Sequence, residues 1–345
     1  MRIVLIAPPW IPIPPPAYGG TEMVIDTLAR GLQAAGHDVL LITTGDSTCE
    51  VTKQWTLPRA AGFNAPAPIT ELRHIIAGYQ AAGEADIVHD HTLIGPVYAA
   101  RFPELPVVTT NHTVFSQELS EYYSGIADRV PIIAISHHHA STSGSIPVAT
   151  VIHHGLDLDR YPFGCGDGRY ALFLGRVHPD KGLDRAIDIA REAGVPLVIA
   201  AKIWQPDEWQ WFEDAIRPRL GHGVEYVGEV GFAQKIELLR GASCLLNPIR
   251  WDEPFGLVMI EALACGTPVI ATPRGAVAEI VTDGETGFIR EADDCLAEAV
   301  ANVGCIDRRR CRLQVESCFS AERMVRDHVA FYQSVIDGRL LPRAA

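Results

Sequence analysis

The sequence predicts an α/β protein built from two doubly wound parallel sheets, and three observations predict it. Short apolar runs of strand length alternate with amphipathic helical stretches. The alternation pauses near residue 155 and restarts near residue 170. A chain of 345 residues with 48% hydrophobic side chains has material for two ordinary cores.

In chain order, RIVLIA (2–7) reads as a buried strand and TEMVIDTLARGLQAAG (21–36) as a helix stopped by Gly36, with Val24, Leu28, Leu32 and Ala35 at helical spacing. VLLIT (39–43), DIVH (86–89), PVVTT (106–110), PIIAIS (131–136) and ATVIHHG (149–155) are further strands, with helical stretches between most of them. GLDLDRYPFGCGDGR (155–169) has the Gly, Asp and Pro content of a domain linker. The second series runs through the strand YALFLG (170–175), the helix GLDRAIDIAREAG (182–194) and the strands PLVIAA (196–201), VEYVG (224–228), SCLLNP (243–248) and PVIAT (268–272). In SAERMVRDHVAFYQSVI (320–336), Met324, Val325, Val329, Tyr332, Val335 and Ile336 share one face. RRRCR (308–312) reads as a solvated helix face.

Composition excludes some functions. A formal charge of -13 argues against a nucleic-acid groove or a polybasic membrane anchor, so an anionic ligand needs locally placed positive charge. Eight cysteines without a CxxC pair read as reduced thiols, with Cys244 and Cys265 in the core. The five apolar residues opening MRIVLIAPPW are too few for a signal-peptide core, and no run approaches membrane-span length, so a cytoplasmic location is expected.

Two stretches carry chemistry. In DEPFGLVMIEALACGTPVIAT (252–272), a helix beginning near Phe255–Gly256 exposes unpaired N–H groups and a partial positive charge, and Gly256 lets a phosphate reach the backbone. Glu253 stands just outside that helix, placed to accept from hydroxyls. Glu261 lies about 7–8 Å further along the axis at ~1.5 Å per residue, roughly the step from a diphosphate to a ribose. A capped helix with one solvated Glu is the plainer reading. In FLGRVHPDKG (173–182), Arg176 and Lys181 sit at the carboxyl edge of the first strand of the second series, where α/β sheets bind ligands. They suit phosphate oxygens; surface solubility is the alternative.

GRVHPDKG, VGEV (227–230), Glu253 to Glu261, ACGTPVIAT and EIVTDGETGFI (279–289), in this order, resemble the retaining glycosyltransferases of family 4. YGGTE (18–22), VHDH (88–91), TTNHTVF (109–115), IAISHHHA (133–140) and VIHHGLD (151–157) extend the likeness over nearly the whole chain. It implies the GT-B architecture, two Rossmann-like domains facing an inter-domain cleft: 1–155 on the acceptor side, 156–320 binding nucleotide sugar, and a 321–345 helix crossing back to the N-terminal domain. It also implies that Arg176 and Lys181 neutralise the diphosphate while the amides around Phe255, Gly256 and Leu257 cradle it. Glu253 then contacts the transferred sugar, Glu261 the ribose, Gly19 and Gly20 close over the phosphates, and His112 reaches the donor sugar. Asp180 and His154 depart from the family's usual Glu and Asn.

The histidines at 89, 91, 137–139, 153 and 154 read as strand-end and loop residues, because adjacent histidines on a strand face opposite ways; His91 is a candidate for the acceptor side. Asp157-Leu158-Asp159 resembles an Asp-x-Asp metal motif, but it falls in the linker and the two cations already supply the charge, so no essential metal and no cofactor are expected. The acceptor is open among a small molecule, a lipid-linked sugar, a polysaccharide and a natural-product scaffold, with at most peripheral membrane contact and no nucleic acid. A nucleotide-sugar epimerase on the same plan and a non-catalytic nucleotide-sugar-binding protein are the rivals. A nicotinamide dehydrogenase is disfavoured, since no GxGxxG follows RIVLIA.

Overall fold

The computed structural model describes residues 1–17, 19–62 and 67–338. Tyr18 of the YGGTE stretch and the end of the terminal segment, 339–345, lie outside the described residues. The chain forms two compact units, Met1–Gly155 joined by the segment from Ala321 onward, and Leu156–Ser320.

The first unit holds a seven-stranded sheet of β1 (Arg2–Ile6), β2 (Asp38–Thr43), β3 (Thr52–Trp55), β4 (Ile87–Asp90), β5 (Val107–Thr110), β6 (Ile132–Ala134) and β7 (Val148–Val151). Its order is β3-β2-β1-β4-β5-β6-β7, and all pairings are parallel. Strand order reverses between β1 and β4, which leaves a crevice at their carboxyl ends, beside His89, Asp90 and His91. β3 is absent from the strands read in the sequence because TKQW is a short, mostly exposed edge strand without apolar alternation.

The terminal helix Ala321–Ile336 belongs to this unit and packs on the helix Gly20–Ala34. Its buried stripe is Ala321, Met324, Val325, His328, Phe331, Tyr332 and Val335. Val329 and Ile336 only flank that stripe, half-buried, and His328 takes the central place. A main-chain carbonyl makes this possible, since Met324 O accepts from His328 Nδ1 at 2.8 Å.

The second unit holds β8 (Ala171–Arg176), β9 (Leu197–Lys202), β10 (Val224–Gly228), β11 (Cys244–Asn247), β12 (Val269–Ala271) and β13 (Gly287–Ile289), in the order β10-β9-β8-β11-β12-β13 and again parallel. Its order reverses between β8 and β11, so the loops that follow Arg176 and Asn247 face one crevice.

The stretch read as a linker is part of this unit. Leu156 and Tyr161 are buried, Leu156 N donates to Phe319 O at 2.9 Å and Gly164 N to Cys265 O at 3.0 Å. The expectation of a solvated face over 308–312 is corrected for the same reason. Arg308 donates to Gly164 O, Ala242 O, Arg240 O and Thr267 Oγ1, and Arg312 donates to Tyr161 O and Ala264 O. Helix ends leave carbonyls without intrahelical partners, and a guanidinium has enough donors to satisfy several at once. Only Arg309 and Arg310 point outward, while Cys311 is buried. Cys244 and Cys265 are buried free thiols. Among the described residues no helix is long and apolar enough to cross a membrane.

Candidate active site

In the second unit, two loops at the switch point are tied to each other. Arg250 N donates to Asp180 O at 2.7 Å, and the Arg250 guanidinium grips both carboxylate oxygens of Asp184 at 2.6 and 2.8 Å. This brings Lys181 Nζ onto Glu253 Oε1, an ion pair whose side chains are only 18% and 15% exposed. The other oxygen, Glu253 Oε2, is buried without a hydrogen-bond partner in the protein. The Glu253 backbone is held from the opposite side, its carbonyl accepting from Ala276 N at 3.1 Å.

The helix Leu257–Ala264 starts immediately afterwards. Gly256 caps it at φ 93, a left-handed conformation that glycine adopts without strain. A Cβ there would lie 2.6 Å from Met259 Cε and 3.6 Å from Glu253 Oε2, so the unpartnered carboxylate oxygen and the helix tip share one small region. Among the described residues the N–H groups of Gly256, Leu257 and Val258 have no acceptor. Phe255 is 2% exposed, its ring packed near Phe319, so only its backbone can serve a ligand.

Every charged group singled out in the sequence here has an opposite partner that the sequence did not reveal. Arg176 Nε lies 2.5 Å from Oε1 of Glu208, whose other oxygen accepts from Trp204 N and Gln205 N at 2.6 and 3.1 Å. Glu261, mid-helix and 6% exposed, accepts on Oε1 from Tyr161 OH at 2.9 Å and from Lys235 Nζ at 2.5 Å. A buried carboxylate without such partners would cost several kcal/mol, which answers why an apolar helix face tolerates it. Arg176, Lys181 and Lys235 are therefore each matched by a carboxylate. Sequence reasoning also missed Asn247 and Trp251, whose Nδ2 and Nε1 are buried donors without partners at the end of β11 and in the loop beyond it. The Trp251 ring lies under Lys181 Nζ, 5.0 Å from its centroid.

In the first unit, Gly19 is the N-cap of the helix Gly20–Ala34. A Cβ on Gly19 would fall 2.7 Å from Pro15 Cβ, so packing against the proline stretch already demands glycine at that position. That stretch is anchored through Ile13, whose carbonyl accepts from Thr48 N and Cys49 N at 2.8 and 2.9 Å.

The histidines do not scatter. His89 and His91 are two positions apart and lie on one side, their ring centroids 3.9 Å from each other, so the opposite-face argument does not apply to them. His91 Nδ1 is 3.0 Å from His112 Nε2, and His112 stacks on His154 at 5.5 Å. His89 contacts Tyr332 OH at 2.6 Å and Thr110 Oγ1 at 2.8 Å, and its ring lies 5.4 Å from His328. Burial holds His89, His91 and His154 well below the usual histidine range, and neighbouring imidazoles push the same way. His112 is pushed down to about 3 and His328 to about 4, first by burial. Asp90 moves oppositely: burial raises it to about 7 although Thr92 and Tyr79 donate to it. This is a neutral imidazole cluster at a sheet's switch point. Its sequence signal was the two-residue spacing of His89 and His91.

Two parallel sheets with these strand orders and switch-point loops are those of the GT-B architecture. Comparison with known proteins agrees. The model described as Glycosyltransferase Family 4 matches residues 18–160, and that described as Glycosyl transferases group 1 matches residues 168–304. The glycogen synthase of Mycobacterium tuberculosis is 28% identical over 88% of this chain and 86% of its own. The phosphatidyl-myo-inositol mannosyltransferase of Mycolicibacterium smegmatis is 28% identical over 89% of this chain and 85% of its own. The crystal structure of AviGT4, a glycosyltransferase involved in avilamycin A biosynthesis, superposes with a TM-score of 0.75 at 25% identity, covering 98% of both chains. The chain belongs to the family 4 glycosyltransferases.

Proposed function

We propose that this enzyme transfers a hexosyl group from a nucleoside diphosphate sugar to a hydroxyl acceptor, with retention of configuration and without an essential metal. The observation that carries the reading is the juxtaposition of the Lys181–Glu253 pair, the unpartnered Glu253 Oε2 and the open N–H groups at Gly256–Val258, all at a switch point. A diphosphate on that helix tip is met by the N–H groups of Gly256 and Leu257, the backbone of Phe255, and the charges of Lys181 and Arg176. Glu253 Oε2 accepts from a hydroxyl of the transferred sugar. Glu261 uses Oε1 for Tyr161 and Lys235, which leaves Oε2 for the ribose. From the first unit, Gly19 and Gly20 are assigned to the phosphates and His112 to the sugar.

The chemistry follows from where charge develops. As the bond from the anomeric carbon to the diphosphate oxygen breaks, negative charge grows on the leaving group, and preorganised N–H dipoles and cations stabilise it most at that moment. The acceptor oxygen bonds to the anomeric carbon on the same face and its proton passes to the departing phosphate. Glu253 is not assigned as a nucleophile, because attack by the acceptor on the same face needs no covalent intermediate. The acceptor is a small molecule, a lipid-linked sugar or a polysaccharide; the relatives' own names span glycogen and phosphatidyl-myo-inositol.

The test is a thermal-shift screen against UDP, GDP, ADP and TDP sugars, followed by nucleoside diphosphate release with the best donor, with and without chelator. Release that persists in chelator supports the proposal. A donor that binds but is never turned over by any acceptor returns the non-catalytic rival, and activity abolished by chelation overturns the metal-free mechanism.

A further inference from the structure

We propose that His91 is a positioning residue, donating its Nδ1–H to His112 Nε2 and so holding His112 as the tautomer that presents Nδ1–H to the ligand. The inference deepens the reading above and rests on its assignment of His112 to the donor sugar.

With two neutral imidazoles 3.0 Å apart, one nitrogen must carry hydrogen and the other must be bare. His91 decides which. It is 6% exposed, and its Nε2 is buried without any hydrogen-bond partner. If Nε2 carried the hydrogen, a buried donor would be left unpaired, the rarer and costlier defect. The same chain shows what it tolerates at His74. There Nε2 faces the carbonyl of Ala7 at 2.9 Å and must be the N–H, while the bare Nδ1 is buried and unpartnered. By the same logic His91 leaves Nε2 bare and carries its hydrogen on Nδ1. His112 then accepts at Nε2 and carries its own hydrogen on Nδ1.

The surroundings fix this arrangement. The His91 ring lies against His89, which is held between Tyr332 OH and Thr110 Oγ1, and His91 N donates to Ile6 O at 2.9 Å. His112 Nδ1 has no partner among the described residues, and His112 is only half-buried. Its free function is therefore donation, to a sugar oxygen, and not proton abstraction.

The experiment combines ¹⁵N-histidine NMR of the ligand-free full chain with kinetics of His91→Asn, His91→Asp and His91→Leu; His112→Gln identifies the His112 signals by their loss. An Asn amide can donate from the Nδ1 position, whereas Asp can only accept and Leu does neither. The expected spectrum shows His112 with a bare Nε2 in wild type and His91→Asn, and hydrogen moved to Nε2 in His91→Asp. For the donor, kcat/KM falls about 10-fold in the Asp and Leu variants and is largely kept in Asn. A wild-type spectrum with hydrogen on His112 Nε2 overturns the proposal, as does His91→Leu with unchanged tautomer and kcat/KM. If a variant fails to fold, the wild-type spectrum still decides. Should His112→Gln leave turnover intact, the sugar assignment of His112 fails, while the tautomer measurement still tests the role of His91 independently.

Discussion

Lowering the pH from 7.5 to 5.5 should destabilise the first unit far more than the second. Of the 13 histidines, all but His178 and His222 lie in the first unit. His74, His139 and His328 are held at about 4 and His112 at about 3, chiefly by burial. Each stays neutral in the fold but protonates near 6.5 once unfolded. Its stabilisation is complete above pH 6.5 and drains away as pH falls toward the folded value. At pH 5.5 the loss is about 1.4 kcal/mol per histidine, about 5–6 kcal/mol for these four. His89, His91 and His154 add to it with the same sign. Asp90 opposes them. Its folded value of about 7 exceeds the unfolded 3.8, so it favours the fold in acid, by about 2 kcal/mol over this range. The net loss of several kcal/mol is comparable with a typical domain's whole stability of about 5–15 kcal/mol. Urea titrations at stepped pH, with hydrogen exchange resolved by peptide, measure it. Stability of first-unit peptides that is flat or rising from pH 7.5 to 5.5 would refute the reasoning.

Lys181→Ala and Glu253→Ala should each cut turnover at least ~10²-fold, and the double variant should lose less than the product because the two groups act as a pair; diphosphate release measures all three. Gly256→Ala should weaken nucleoside diphosphate binding about 10-fold or more in calorimetry, since its methyl group meets Met259 and imposes a left-handed backbone on alanine. Arg308→Ala should destabilise the second unit by about 2–4 kcal/mol in urea, whereas the exposed Arg309→Ala should stay within about 0.5 kcal/mol.

The fold was legible wherever apolar runs and their glycine punctuation were local. RIVLIA, YALFLG and SCLLNP announce their strands because both faces of a covered parallel sheet must be apolar. TKQW and GFI escaped notice, one polar at an edge and the other three residues long. Lys181, Glu253 and Gly256 could be singled out because strand ends and a helix start place them. Their electrostatic setting could not. Glu208 reaches Arg176 from a helix of its own, Lys235 reaches Glu261 from another, and Tyr161 comes from a stretch that looked like linker. Pairings made by packing across separate elements leave no periodic trace. The arginines at 308 and 312 misled for the same reason, since a cation bound to carbonyls looks in sequence like one bound to water.

Because Arg176, Lys181 and Lys235 each stand against a glutamate, the second unit offers an incoming nucleotide almost no distant attraction. Against an overall charge of -13, capture must happen at contact, by exchange of a carboxylate partner for a phosphate or hydroxyl. Association should accordingly be slow by the standard of electrostatically guided enzymes and should quicken as salt screens the repulsion between two negative partners, so that selectivity is exercised after the ligand arrives rather than on its way in.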